Sequence, residues 1–496
     1  MTGSAPDSTG NSQLRRGVLG TGGIVFMVVA AAAPLTVMAG VAPLAILVGG
    51  VGAPTGYVAA GLVLVVFAVA FTRMTRHVGS AGAFYAYIAK GLGHGWGIAA
   101  AMLALMAYNA LQFGIYGLFA AQAKATLADV FGVDVPWPVI AFVGVGLVLL
   151  VAWLGIDVGA RVLGVLLVLE VGILLVMAVG VLAHGGASGL DTTSFTPSAV
   201  FSPGMGGVLA ICFAAFMGFE STALYRREAR NPERTIPRAT YLAVGFMAVF
   251  YCFVVWAVIQ AFSSDKVVAA AGGDIAGLFF TAIDTYVGPW AATLMHLLVI
   301  SSVYASQLAF HNAITRYTHA LARDGALPAW IGRIHPRHGS PYRASVVQSV
   351  LAAIVIGVFA LAGADPYTKL LLWVNTPGVI GIIVLQTLTA IATVVYFLRR
   401  NRAASTPAAL GAGILSSLLL TVATYVLVDN VGLLTAASTT TNVLLVSVVP
   451  ATLLVGAVLA LWLRDRRPEA YARIGEGGDT DEAEPRSART PEGLAT

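Results

Sequence analysis

The stretch Gly204–Arg238, GMGGVLAICFAAFMGFESTALYRREARNPERTIPR, decides the fold of this chain. Its first half is apolar, but Gly218 interrupts it and Glu220 follows two residues later. Backbone N–H and C=O groups inside a bilayer must be satisfied within the protein, so a broken segment is tolerated only where it lines a cavity or is buried. A carboxylate at that depth is costly and by default indicates a functional site. Close helix packing around small residues is the alternative explanation for the glycines.

The composition of the whole chain identifies a membrane protein. Of its 496 residues, 58% are hydrophobic and only 10% are charged, which excludes an ordinary soluble domain. The net charge of +5 comes from arginines near the ends of apolar segments, so we predict no nucleic-acid partner. Cys212 and Cys252 lie inside apolar segments, so the sequence predicts no disulfide framework, no metal site and no cofactor.

Twelve apolar segments are long enough to cross a bilayer, which takes about 20 residues. They are predicted at residues 19–46, 53–72, 95–123, 136–155, 160–183, 204–224, 238–262, 286–320, 343–362, 370–398, 408–428 and 442–463. A cytoplasmic N-terminus places every arginine on the cytoplasmic side, in accord with the positive-inside rule. We therefore predict a multi-pass protein of the plasma membrane with cytoplasmic termini and with disordered tails at 1–17 and 468–496.

A second interruption matches the first. The segment 19–46 carries Pro34 near its middle, where proline removes a backbone hydrogen bond. The two broken segments each begin a set of five, residues 18–185 and 203–400, and the sets start on opposite sides of the membrane. Paired interruptions in inverted halves are the best sequence indication of a transporter's binding site. Residues 408–464 would add two further helices.

Polar side chains inside the spans supply further candidates. Glu170 lies in the fifth span. Its role could be that of a proton-coupling group, of a counter-charge for an amine, or of a protonated carboxyl that is hydrogen-bonded to a neighbouring helix. Glu220 either binds and gates, or caps the helix that follows the break. The other predicted substrate-site side chains lie in the third, eighth and tenth spans, with ordinary hydrogen bonding between helices as the alternative: Asn109, Gln112, Ser302 and Trp373. Ser306 and Asn375 are further candidates for the pocket wall.

Four groups of residues resemble the motifs of the amino acid–polyamine–organocation transporter superfamily. They are Gly218-Phe219-Glu220 with Asn231-Pro232 and Ile236-Pro237, Arg316 with Ala322-Arg323-Asp324-Gly325, Gly79-Ser80-Ala81-Gly82 with Tyr85, and Ala160-Arg161-Val162.

The resemblance implies an all-α, polytopic fold of two inverted five-helix repeats, similar to the leucine transporter, with substrate held between broken helices one and six. It implies that the binding groups lie mainly on the backbone of two unwound segments. Carried onto this chain, these are Ala31, Ala32, Ala33, Pro34 and Leu35, and Phe216, Met217, Gly218, Phe219 and Glu220.

Arginines at the cytoplasmic ends of the spans are candidate gate residues. The candidates are Arg73, Arg76, Arg316 and Arg323. Binding of lipid headgroups is the alternative role for these side chains.

We therefore expect a secondary transporter of amino acids or related amines in the lipid bilayer. Proton coupling is favoured because the fifth span carries Glu170 where some members of the superfamily carry lysine. Exchange of substrate for product is the alternative mechanism. A membrane enzyme is disfavoured because the spans contain no cluster of His, Asp and Glu, and a sensor would usually bring a soluble signalling domain. The oligomeric state stays open.

Overall fold

The computed structural model describes residues 19–75, 77–78, 83–154, 160–227, 229–336, 338–399 and 406–475. The described residues are helical almost throughout, and the only strand-like pairing among them is an isolated bridge between Leu19 and Ala229. The predicted all-α fold is confirmed. The predicted tail 1–17 lies outside the described residues.

Among the described residues, the first half of the chain contains eight α-helices. They are α1 (Thr21–Ala32), α2 (Pro34–Gly40), α3 (Ala42–Gly49), α4 (Ala53–Thr75), α5 (Ala83–Leu92), α6 (His94–Phe131), α7 (Trp137–Trp153) and α8 (Ala160–Ala183).

The second half continues, in the part that the structure describes, with twelve α-helices. They are α9 (Pro197–Val200), α10 (Met205–Ala215), α11 (Pro232–Phe262), α12 (Val267–Gly273), α13 (Leu278–Tyr286), α14 (Pro289–Arg323), α15 (Tyr342–Leu361), α16 (Leu372–Arg399), α17 (Pro407–Asp429), α18 (Val431–Thr435), α19 (Thr439–Arg466) and α20 (Pro468–Arg473). A 3₁₀ segment, Phe219–Arg227, follows α10, and a π-helical turn, Pro366–Leu371, precedes α16.

Within the described residues, eleven helical segments are long and apolar enough to cross a membrane, or twelve if a bent pair counts as one span. Each of the twelve predicted spans coincides with a helix or with a broken helical segment, although α7 has only 17 residues. The bent pair is α12 and α13, which meet at 118°. Apart from residue 286, the residues of this pair lie outside the predicted spans.

Broken helices occupy the middle of the bundle. The segment α1–α2 packs against α8, α11 and α14, and α10 packs against α3, α4 and α17. Small residues allow close approach: a Cβ atom placed on Gly61 of α4 would lie 2.5 Å from the Cβ of Ala248 on α11. Such contacts are how membrane helices gain packing energy without a hydrophobic driving force.

The chain beyond α19 does not become disordered at residue 468. Residues 468–473 form α20, and the following Ile474 is fully buried. The Nδ1 atom of His94, at the start of α6, lies 3.0 Å from the carbonyl oxygen of Ile474. Residues 468–475 therefore do not fit the predicted disordered tail, because α20 packs against α19 and α6. Residues 476–496 lie outside the described residues.

Candidate functional site

The first break lies at Ala33. This residue has φ 48° and ψ 72°, a left-handed conformation that separates α1 from α2. Pro34 then starts α2, as its fixed φ and missing N–H favour. The predicted interruption at Pro34 therefore exists, and the residue that carries the backbone strain is the alanine before it.

The second break lies at residues 216–218, between α10 and the 3₁₀ segment. Gly218 has φ 105°, a value that residues with a Cβ rarely adopt. Its N–H donates to the Glu220 Oε2 at 3.0 Å, and its carbonyl accepts from the N–H of Ser221 at 3.0 Å. The Glu220 carboxylate therefore stabilises the turn at Gly218, in agreement with the alternative that this residue caps the segment after the break.

The two breaks face each other. A Cβ built on Gly218 would have the backbone nitrogen of Ala32 as its nearest neighbour, at 4.0 Å. A cavity of about 80 Å³ lies against both breaks, and it is lined by Ala31, Ala32 and Thr36 on one side and by Met217 on the other. Larger cavities, of about 400 and 560 Å³, have apolar linings that include exposed side chains such as Phe26 and Trp96. The smaller cavity is the candidate substrate site because it alone of these three adjoins both breaks.

Glu170 bonds directly to the first break. Its Oε2 accepts a hydrogen bond from the Ser302 hydroxyl of α14 at 2.8 Å and a longer one from the Leu35 N–H of α2 at 3.4 Å. Thr36 in turn donates to Ser302 Oγ at 2.8 Å. Only 4% of Glu170 is exposed. One buried carboxylate thus connects α8, α14 and the start of α2.

Glu220 is also buried and hydrogen-bonded. The Tyr108 hydroxyl of α6 donates to its Oε1 at 2.8 Å, while Oε2 accepts from Gly218. Both carboxylate oxygens therefore have partners on the protein. Neither Glu220 nor Glu170 lines the central cavity.

Several predicted substrate-site residues lie away from that cavity. Gln112 belongs to a buried amide junction of three glutamines. Its Nε2 donates to the backbone carbonyl oxygen of Gln307 at 3.3 Å, and Gln307 Nε2 donates to the backbone carbonyl oxygen of Gln112 at 3.3 Å. Gln348 Nε2 donates to Gln112 Oε1. Asn109 donates to the Leu105 carbonyl of its own helix at 2.7 Å. Their amides satisfy neighbouring backbone and side chains, so they do not form the polar cavity wall that the helical face predicted.

Aromatic candidates are placed differently again. The Trp373 indole N–H donates to the Thr435 carbonyl of α18 at 3.0 Å, so it is directed away from the cavity. Phe216 and Phe219 are fully buried, the former beside Tyr251 and the latter beside Phe67. Packing explains both side chains, whereas the prediction for these two residues concerned their backbone groups.

The predicted gate arginines have different surroundings among the described residues. Arg316 lines a separate cavity of about 290 Å³ with His319 and His338. The Nε of Arg323 lies 4.0 Å from the Asp324 carboxylate. Arg73 lies in the last turn of α4, and Arg76 lies outside the described residues.

Three polar residues line the cavity, namely Thr36, Ser306 and Asn375. Ser306 of α14 lies one turn beyond Ser302, and Asn375 of α16 lies two residues beyond Trp373. Ser306 and Asn375 were candidates for the pocket wall, whereas Thr36 lies one residue beyond the predicted unwound segment 31–35. Residues 373 and 375 are about 200° apart around a helix, so one helix orientation brings only one of the two to the cavity.

Comparison with known proteins agrees with a transporter. The family model for amino acid permeases matches residues 23–471. A transporter of Mycobacterium tuberculosis without assigned substrate is 27% identical over 339 residues, covering 67% of this chain and 72% of that protein. The branched-chain amino acid permease of Bacillus subtilis is 22% identical, covering 62% of this chain and 67% of the relative.

A lysine-specific permease of Lactococcus lactis is 30% identical over 204 residues, which is 40% of this chain and 37% of that permease. The match of the family model extends from α1 into α20 and so includes both broken helices and the cavity between them. The chain therefore belongs to the amino acid permease family, whose members are membrane transporters and not enzymes.

Proposed function

We propose that this chain is a secondary active transporter that moves amino acids across the plasma membrane by alternating access, coupled to protons through Glu170, with both termini in the cytoplasm. The observation that carries the proposal is the position of the Glu170 carboxylate, which accepts from Leu35 at the first break and from Ser302 on α14. Proton binding to this group would act directly on the backbone that borders the cavity.

The charge of Glu170 determines how strongly these two contacts hold. An ionised carboxylate only accepts hydrogen bonds, whereas the protonated form has one O–H to donate. Hydrogen bonds to charged groups contribute about 1.5–3 kcal/mol, against about 0.5–1.5 kcal/mol between neutral groups. Since the Leu35 contact is long, neutralisation would weaken the pair by roughly 1–2 kcal/mol in total, a 5- to 30-fold change in a two-state equilibrium.

The substrate would bind in the cavity between the breaks, with its charged ends on the backbone of the unwound segments. Both segments contribute to the lining, through Ala31 and Ala32 on one side and Met217 on the other. The names of the relatives include a branched-chain amino acid permease and a lysine-specific permease, so they do not decide between neutral and cationic substrates.

Uptake into proteoliposomes, with and without an inward proton gradient, tests the proposal. We expect uptake by the parent to follow the gradient, and Glu170→Gln to retain gradient-insensitive counterflow of labelled substrate. Glu469→Gln is the control, because Glu469 is exposed on α20 far along the chain from the site. Uptake that ignores the gradient and requires internal substrate would contradict proton coupling and establish exchange. Absence of flux for every amino acid would contradict the proposed function itself.

A further inference from the structure

Apart from the break residues and three polar side chains, the lining of the central cavity is apolar. The ring of Phe310 lines the cavity, and six further side chains form what we call the aliphatic wall: Val37, Val41, Leu111, Ile115, Leu118 and Leu371. The polar side chains that line the cavity are Thr36, Ser306 and Asn375, and none of the described lining residues carries a charge. A substrate side chain placed here meets hydrocarbon and no carboxylate.

The two buried carboxylates nearest the breaks are occupied by protein donors. Glu220 accepts from Tyr108 and Gly218, and Glu170 accepts from Ser302 and Leu35. Neither lines the cavity. A cationic substrate side chain would therefore lose its water without gaining an ionic partner, which is strongly unfavourable.

We propose that the site selects α-amino acids with uncharged aliphatic side chains and rejects those with cationic side chains. This inference rests on the proposed function and defines its substrate class. An aliphatic side chain against the aliphatic wall is stabilised by removal of its surface from water. The backbone of the breaks would still bind the ammonium and carboxylate groups that all α-amino acids share.

Asn375 gives a direct way to change this selectivity. It lines the cavity, and its Oδ1 is buried without a hydrogen-bond partner among the described residues. A Cβ built on Gly114 of α6 would lie 3.2 Å from that oxygen, so the amide is closely held. The change Asn375→Asp keeps the shape of the side chain and adds the negative charge that the cavity lacks.

Asn109 is the matched control. Its Oδ1 is likewise buried without a partner among the described residues. Its Nδ2 donates to the Leu105 carbonyl oxygen of its own helix, and the residue does not line the cavity. Asn109→Asp therefore introduces the same chemical change at a similar depth in the bundle. A change in selectivity confined to Asn375→Asp would identify the cavity as the place where the substrate side chain lies.

The experiment is competition against labelled leucine in counterflow, with valine, alanine, lysine and arginine as competitors. We expect valine to compete, and lysine to need at least about 100-fold higher concentration, which corresponds to about 2.8 kcal/mol. In Asn375→Asp the ratio of lysine to leucine competition should rise at least about 10-fold, and in Asn109→Asp it should not change. Size-exclusion profiles of both variants establish that they are folded.

Each outcome of the competition experiment supports or overturns the proposed substrate class. Lysine competing as well as valine in the parent would overturn the inference while leaving an amino acid transporter, and the parent measurement stands even if a variant fails to fold. An unchanged ratio in folded Asn375→Asp would overturn the placement of the side chain against the aliphatic wall. Failure of every amino acid to move would refute the proposed function rather than this substrate class alone.

Discussion

Replacing Gly218 with alanine tests whether the second break depends on its backbone conformation. Gly218 has φ 105°, and a Cβ at this position would meet nothing closer than Ala32 N at 4.0 Å. Steric overlap with the rest of the protein is therefore absent, and the effect comes from the strained backbone alone. Holding a residue with a Cβ in such a region costs about 1–3 kcal/mol. We expect Gly218→Ala to lose thermal stability and to transport poorly, because relief of the strain reshapes the break.

Gly245→Ala is the control for this change. Gly245 lies inside α11 with an ordinary φ, and a Cβ there would meet nothing within 4 Å. Alanine is favoured over glycine in a helix interior by about 0.5–1 kcal/mol, so the two variants should shift stability in opposite directions. The assay is thermal denaturation in detergent followed by size exclusion, together with counterflow. Equal stability and equal transport in both variants would refute the argument that the left-handed glycine sets the break.

Two further predictions concern residues outside the cavity. Trp373→Phe should remove the hydrogen bond to the Thr435 carbonyl and lower stability by about 1 kcal/mol, without altering competition between substrates; a changed competition profile would return Trp373 to the binding site. Burial raises the pKa of the Asp324 carboxyl at the end of α14, against the opposing effects of Arg323 and Arg473. The parent should therefore lose stability as pH rises from the ordinary aspartate pKa through the raised one, whereas Asp324→Asn should not. Thermal denaturation at pH 7.5 should find the asparagine variant more stable, and the difference should disappear toward pH 4; the opposite ordering at pH 7.5 would contradict the assignment.

The breaks and the buried carboxylates could be predicted from the sequence because each depends on local chemistry. A glycine or proline interrupts a helix wherever it lies, and Glu170 stands out as a charged residue in an apolar run. The helices themselves follow from length and hydropathy, since a bilayer admits few alternatives. These predictions needed no knowledge of which helices are neighbours.

The predictions that depended on which helices lie next to each other were incomplete or wrong. Helical spacing placed Asn109 and Gln112 on one face, but it could not show that Gln307 and Gln348 would occupy that face. The bent pair α12–α13 escaped prediction because its helices have only 7 and 9 residues, too short for a span of their own. The sequence offered both Trp373 and Asn375 as candidates and could not choose between them, because the orientation of α16 depends on its contacts with α6 and α18.

The amide junction of Gln112, Gln307 and Gln348 joins α6, α14 and α15 through groups that neither gain nor lose a proton in water. These contacts therefore keep the same charge state in an acidic and in an alkaline compartment. They join three helices, including the one that carries Ser302, without a group that titrates. A change in acidity would have to act on these helices through other contacts, such as the one between Thr126 of α6 and His296 of α14.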